Sequence, residues 1–334
     1  MSVVSWPEEY GGRDASLLEW LVFEEEYYAA AAPVRVGQNG LFLLAPTLFA
    51  HGTAEQRDRL LPPMARADQV WAQAWSEPEA GSDLAAIRSS AARTDGGWLL
   101  SGTKTWSTRA AFADKAFGLF RSDPGAGRHR GLTYLMFDLR ADGVTVRPIR
   151  QLGGETGFAA RSLSQVCGAD VVAGGPAADS AAARAFEAGV LAAAAQLLGT
   201  GRALLDAGVR HARQRTQFGQ PIGAFQAVKH HLADVAIGLE FARPLLDAAA
   251  LALAAGAATA PRDVSAAKVA CADSAYRAAR AALQVHGAIG YTQEHDLHLW
   301  LTKVRALAGA WGSQAWHRAR VMAAIAAGGE LACD

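Results

Sequence analysis

Residues 176–334 are dominated by alanine on a helical period, and this constrains the fold more than any other feature. Four segments read as helices, roughly 180–214, 224–255, 261–288 and 296–327. The breaks between them carry Gly219-Gln220-Pro221, Gly256 to Pro261, and Gly287 to Thr292. These residue types stop helices or tolerate turn geometry. Alanine costs no side-chain entropy in a helix and lets backbones approach closely. A half of this kind buries itself as a four-helix bundle.

The preceding zone, 72–175, reads differently. Ile87–Thr94 and Trp98–Ser101 flank Asp95-Gly96-Gly97, a hairpin turn. Ala116–Arg121, Leu132–Leu139 and Val144–Pro148 read as further strands, which makes a small, mainly antiparallel β domain. Residues 1–71 are helical in pattern. Asp14 is the expected N-cap of a helix over 15–31. Thr53 and Gln56 form a capping box ahead of Arg57–Leu61, with Pro62-Pro63 expected to stop that helix. The expected class is therefore α+β and multidomain: helical over 1–71, antiparallel β over 72–175, and a helical bundle over 176–334.

Charge and cysteine content narrow the function classes. The 32 basic and 32 acidic residues cancel, which argues against a nucleic-acid partner. Cys167, Cys271 and Cys333 show no metal spacing, so a reduced cytoplasmic setting is expected and no metal site. No secretory start is read at Met1–Trp6, and the apolar run Val190–Leu198 is too short to span a bilayer.

Four motifs carry chemistry. Trp71 to Asp83 (WAQAWSEPEAGSD) is a strand running into a turn of small residues and hydroxyls. Its backbone N–H groups can hold a ring carbonyl edge or a thioester, and it reads equally as an ordinary turn with Asp83 as a cap. In Ser101 to Thr108 (SGTKTWST), Trp106 and Thr108 share a strand face. An indole there can shield a flat ring, or simply fill a core. Arg215-Thr216-Gln217-Phe218-Gly219 offers a guanidinium for phosphate and an aromatic for adenine, or a helix-end Arg and a buried Phe. Gln284 to Gly290 (QVHGAIG) lets backbone approach a ligand, or caps a helix.

In this order and spacing, with Pro7-Glu8-Glu9-Tyr10-Gly11-Gly12 near the start, the motifs resemble the acyl-CoA dehydrogenase family. The resemblance implies a truncated N-terminal helical domain, a middle β domain with the flavin and thioester site, and a C-terminal bundle. The bundle would hold the adenosine end of FAD and the oligomer interface. Trp75, Ser76, Ser82, Trp106 and Thr108 match positions that hold the flavin ring, and Ser82 also the thioester end of an acyl-CoA substrate. Arg215, Gln217 and Phe218 match the positions for the adenosine diphosphate part of FAD. Gln284, Gly287 and Ala288 match the pyrophosphate turn, and Ser313 a hydroxyl beside the cofactor. An electron-transfer flavoprotein or similar acceptor, and a homo- or heterotetramer, are implied partners.

The resemblance breaks at the base. Dehydrogenation needs a carboxylate to take the α-proton as hydride leaves the β-carbon. The usual position holds Trp311, before Gly312, and an indole cannot accept a proton. Other members place the glutamate on the bundle's first helix, where a gapless count from Arg215 finds Gly189. Glu187 is a weak candidate, two residues and about 200° around a helix. The family helices ahead of Pro7–Gly12 are missing from the sequence, and their loss is expected to expose apolar surface for a partner. The segment Gly287 to Leu299 (GAIGYTQEHDLHL) resembles subunits of heteromeric dehydrogenases in which one subunit type supplies the base.

Four functions follow from the resemblance: a flavin-sharing subunit of a heteromeric acyl-CoA dehydrogenase; an active homo-oligomer with Glu187 or Glu155 as displaced base; a flavin hydroxylase on the same fold; or a non-catalytic structural partner. The ionisable run at Thr292–His298 is read as a solvated loop with Asp296 as N-cap, and His295 with His298 as an unsupported metal pair. His230-His231 is read as surface or interface, and Arg128-His129-Arg130 as a solvated loop. His286 is read as structural or phosphate-directed.

Overall fold

A computed structural model of the chain describes residues 3–328, apart from 34, 82, 96, 127–129, 151–156, 168–169 and 175. Ser82, Arg128, His129, Glu155 and Cys333 lie outside the described residues. The helices, in chain order, are α1 (Leu17–Ala29), α2 (Ala45–His51), α3 (Ala54–Ala65), α4 (Pro176–Gln214), α5 (Gln226–Ala254), α6 (Ala260–His286), α7 (Leu297–Gly309) and α8 (Gln314–Gly328). The strands are β1 (Trp71–Ala74), β2 (Ser90–Thr94), β3 (Gly97–Thr108), β4 (Lys115–Arg121), β5 (Leu132–Asp138), β6 (Val144–Ile149), β7 (Phe158–Val166), β8 (Asp170–Gly174), β9 (Thr216–Gln217) and β10 (Gln220–Pro221). Two compact units result: Met1–Arg13 with Arg35–Ala188, and Asp14–Val34 with Gly189–Asp334.

The first unit is a sheet in the order β6-β7-β3-β2-β4-β5-β8, with β1 added along β4. Its pairs are antiparallel except β1 with β4 and the single pair Ser90 with Arg121. The expected hairpin forms with Thr94 opposite Gly97. Ala74, Leu100, Phe120, Leu135 and Leu163 fill the core beneath the sheet. The Thr53–Gln56 capping box is present. Pro62 and Pro63 do not stop α3, which runs on to Ala65. Each proline removes one donor, but Leu60, Leu61 and Met64 are fully buried and hold the last turn in place.

In the second unit α1 starts at Leu17 and is capped by Ser16, not Asp14. Ser16 has a glutamate three residues on, and Ser16 with Glu19 closes a reciprocal box. Asp14 instead takes a positive φ of 50°. Glu25 of α1 is buried and ion-paired to Arg202 of α4 at 2.7 Å and to Arg243 of α5 at 2.5 Å. Close packing relies on small residues: a Cβ on Gly201 of α4 would lie 2.7 Å from Leu239 Cδ2. Ala181–Gln214 is long and apolar enough to cross a membrane, and 78% of its most apolar window is buried in the protein. That stretch extends well beyond the short run seen at Val190–Leu198. The segment expected as one helix over 296–327 is two helices, α7 and α8, broken at Ala310–Ser313. Asp296 makes no side-chain cap; the Leu297 N–H donates to His295 Nδ1 at 3.1 Å.

Candidate functional site

β1 delivers Trp75 and Ser76 into a turn that is tied to β3 by the Thr105 N–H on the Ser76 carbonyl, 2.9 Å. Beneath it Glu77 accepts from Lys104 Nζ at 2.8 Å and from the N–H groups of Arg88 and Ser89 at 2.7 and 3.0 Å. Lys104 also donates to the Leu119 carbonyl at 2.7 Å. Burial pushes the Lys104 ammonium down to about 8, against the pull of Glu77. Burial alone would raise the Glu77 carboxyl; Lys104 and the Arg88 N–H outweigh it and hold the group below its usual range.

Accessibility alternates along the end of β3: Thr105 and Ser107 are buried, Trp106 and Thr108 exposed. The expected shared face of Trp106 and Thr108 is therefore present, across a bulge between Lys104 and Ser107. Trp106 is 60% exposed, sits at φ 56°, and has Phe158 edge-on at 6.4 Å. A bulky residue at positive φ is strained, and an exposed indole gains little from burial to offset it. This combination suits a side chain held ready for a flat ligand.

In the second unit Arg215, Gln217 and Phe218 lie exposed at the β9–β10 hairpin. Phe218 is 91% exposed, at φ 52°, with Phe225 edge-on at 6.0 Å. The buried-Phe reading is thereby excluded. Gln284, Gly287 and Ala288 are exposed at the end of α6, and Gly287 has a φ of 66° with nothing within 4 Å of its absent Cβ. His286 is buried: its Nδ1–H donates to the Ala282 carbonyl at 2.7 Å, and its ring stacks on His211 at 4.2 Å. Burial lowers both histidines, and each is lowered further by the His295 ring beside them. Among the described residues no group of three or more metal-ligating side chains forms. His230 and His231 are exposed.

The two base positions meet. A Cβ on Gly189 would lie 2.5 Å from Trp311 Cε2 and 2.7 Å from Cζ2, so the indole lies against the bare glycine backbone. Trp311 sits at φ 62° and Gly312 at φ 110° in the break between α7 and α8. His317 Nε2–H donates to the Trp311 carbonyl at 3.0 Å. A carbonyl only accepts, so the other nitrogen, Nδ1, accepts from Ser265 Oγ at 3.0 Å. Burial pushes the His317 imidazole down to about 4. Lys268 Nζ closes the end of α7, donating to the Leu307 and Ala308 carbonyls at 3.0 Å each. Ser313 Oγ accepts from the Trp316 N–H at 3.2 Å and caps α8. Glu187 is buried, on the same uninterrupted α4 as Gly189, and so points about 200° away around the helix.

Sequence reading missed the His317–Ser265 brace and the stacked His211–His286 pair. Their partners lie 52 and 75 residues apart, respectively, by number, with no local signal to join them.

Family models for the N-terminal, middle and C-terminal domains of acyl-CoA dehydrogenase match residues 1–68, 72–167 and 180–326. The 3-(aryl)acrylate reductase of Clostridium sporogenes is 30% identical over 315 residues, 91% of this chain and 82% of that protein. The acyl-CoA dehydrogenase IpdE1 of Mycobacterium tuberculosis is 41% identical over 158 residues, 47% of this chain but only 41% of that protein's length. The structure of a glutaryl-coenzyme A dehydrogenase in complex with glutaryl-CoA matches with a TM-score of 0.90 at 27% identity, over 98% of this chain and 84% of that one. The chain belongs to the acyl-CoA dehydrogenase family.

Proposed function

We propose that the chain is an FAD-holding subunit of an acyl-CoA dehydrogenase, and that a second family subunit supplies the base for α,β-dehydrogenation of an acyl-CoA thioester. The observation that carries this reading is the indole of Trp311 lying against Gly189. By resemblance these are the two alternative positions of the catalytic glutamate. Here an indole, which only donates, meets a residue with no side chain, and Glu187 points elsewhere on α4. The turn is braced by His317 and capped by Lys268, so Trp311 is a built part of this fold.

The residues that remain suit the cofactor. FAD, when bound, supplies the hydride acceptor. Trp75, Ser76, Trp106 and Thr108 would hold its ring and the thioester end of the substrate, with Ser82 assigned by resemblance alone. Arg215, Gln217 and Phe218 would hold the adenosine diphosphate part, Gln284, Gly287 and Ala288 the pyrophosphate, and Ser313 would stand beside the cofactor. Exposed, strained Trp106 and Phe218 support this: each meets one aromatic ring edge-on and leaves most of its own surface exposed. Reoxidation by an electron-transfer flavoprotein or similar acceptor in the cytoplasm, and a heterotetrameric assembly, complete the reading.

The test is co-purification. The chain expressed alone is expected to carry little flavin and to reduce no dye with acyl-CoA. Co-expressed with a second family member, it is expected to become yellow and active. Substrate-dependent dye reduction by the pure chain rejects the reading in favour of a displaced base. Oxygen uptake driven by NADH and a reductase selects the hydroxylase instead.

A further inference from the structure

The β domain buries more positive charge than its fold needs. Lys104 and Arg161 are direct cross-strand neighbours on β3 and β7, and both are wholly inaccessible. Glu77 is the one carboxylate hydrogen-bonded into this cluster among the described residues, and it serves Lys104. Arg161 Nη2 donates to the Gln73 carbonyl at 2.9 Å and to Ser107 Oγ, both uncharged acceptors. Its Nε and Nη1 have no partner among the described residues. A buried, half-satisfied guanidinium is costly, and an apolar side chain would serve the core better. Burial pushes Arg161 down to about 9, so it keeps its proton at neutral pH.

The position of this charge suggests its use. Ser107, which holds Arg161, sits between Trp106 and Thr108 on β3, with its side chain on the opposite face of the strand. Gln73, the other anchor, lies on β1 two residues before Trp75. The uncompensated cation is therefore one strand's thickness behind Trp106 and Thr108. A neutral oxidised flavin that accepts a hydride gains one negative charge. A fixed cation in a low-dielectric interior lowers the energy of that charge without reorganisation.

We propose that Arg161 is a potential-setting residue: it stabilises the negative charge that a flavin bound at Trp75, Ser76, Trp106 and Thr108 acquires on reduction. This rests on the flavin-site reading above. It adds that the site's electrostatics favour electron acceptance even though its base positions are empty.

The measurement is the two-electron midpoint potential of the FAD-loaded protein, with its partner subunit where loading requires one. Wild type is compared with Arg161→Met and Arg161→Lys. Arg161→Met is expected to shift the reduction equilibrium at least tenfold toward oxidised flavin, about 30 mV lower. Arg161→Lys is expected to stay near wild type. Sulfite gives a second readout that needs no substrate, because its addition to flavin N5 also leaves the ring with one negative charge. Its Kd is expected to rise at least tenfold in Arg161→Met. If that variant does not fold, Arg161→Gln carries the same expectation, being neutral yet able to donate to the Gln73 carbonyl. Flavin bound at unchanged potential and unchanged sulfite affinity overturns this inference and leaves the flavin site standing. A chain that takes up no FAD, alone or with its partner, overturns both.

Discussion

The side of the β domain proposed to hold a flavin and the Trp311 turn of the bundle differ in what they leave open. At the first, polar and charged groups are packed beneath the surface together with Trp75, and Trp106 and Thr108 stand exposed above it. At the second, the space a reacting side chain would need is filled by an indole against a glycine, and the nearby polar groups are spent on backbone carbonyls. On the proposed function, the first region would hold a ligand and bias its charge, while the second holds itself closed. The two are built from different elements with separate supports, so under that proposal a cofactor face could persist while the proton-transfer corner becomes packing.

The largest effect expected is in the β domain. Glu77→Gln leaves Lys104 buried without its carboxylate, next to Arg161, and removing one partner of a buried pair costs about 3–5 kcal/mol. Urea denaturation should show that loss. A loss under 1 kcal/mol would mean that the cluster is wet and that the contrast with the closed turn is overstated.

The Trp311 turn breaks by overpacking. Gly189→Leu forces the indole off the backbone of α4, with an expected cost of about 1–3 kcal/mol. Combining it with Trp311→Gly should recover part of that cost, since the two positions compete for one space and their effects couple. Strictly additive losses would show that the indole does not fill the glycine's space.

The same turn also sets an acid limit. The folded His317 titrates near 4 and an unfolded imidazole near 6.5. Between those values the unfolded chain binds a proton that the folded chain refuses, so stability is level above pH 6.5 and falls as pH drops through the window. The loss is on the order of 2 kcal/mol with partial solvent screening. His317→Gln should flatten that slope in thermal melts between pH 7 and 4. The lowered His211 and His286 add a residual slope of the same sign, which the variant would retain.

Much of the fold was legible because the signals are local. The Thr53–Gln56 box, the Thr94–Gly97 hairpin and the first three bundle helices follow from spacing within a few residues. Ser16 was legible too: it has Glu19 three residues on, which Asp14 lacks. The break at Ala310–Ser313 was not, since it needs the positive φ of Trp311, and that turn is held by His317 of α8 and by Lys268 of α6. The meeting of Trp311 with Gly189 joins positions 122 apart by number, and no periodicity reports it. Arg161 stands between the two. β7 turns Ala159, Arg161 and Leu163 inward in strict alternation, so the pattern itself puts a cation in the core row.

The smallest effect expected on folding falls at the exposed aromatics, and it sharpens the comparison most directly. Phe218 is 91% exposed and meets Phe225 edge-on, so Phe218→Ala should change stability by less than about 0.5 kcal/mol. FAD retention, read as flavin absorbance after desalting the co-purified complex, should nevertheless fall about tenfold, matching an aromatic stacking contribution near 1.4 kcal/mol. Unchanged retention would leave Phe218 an ordinary exposed side chain. It would also confine the ligand-holding character to the β domain, where Trp106 alone would carry it.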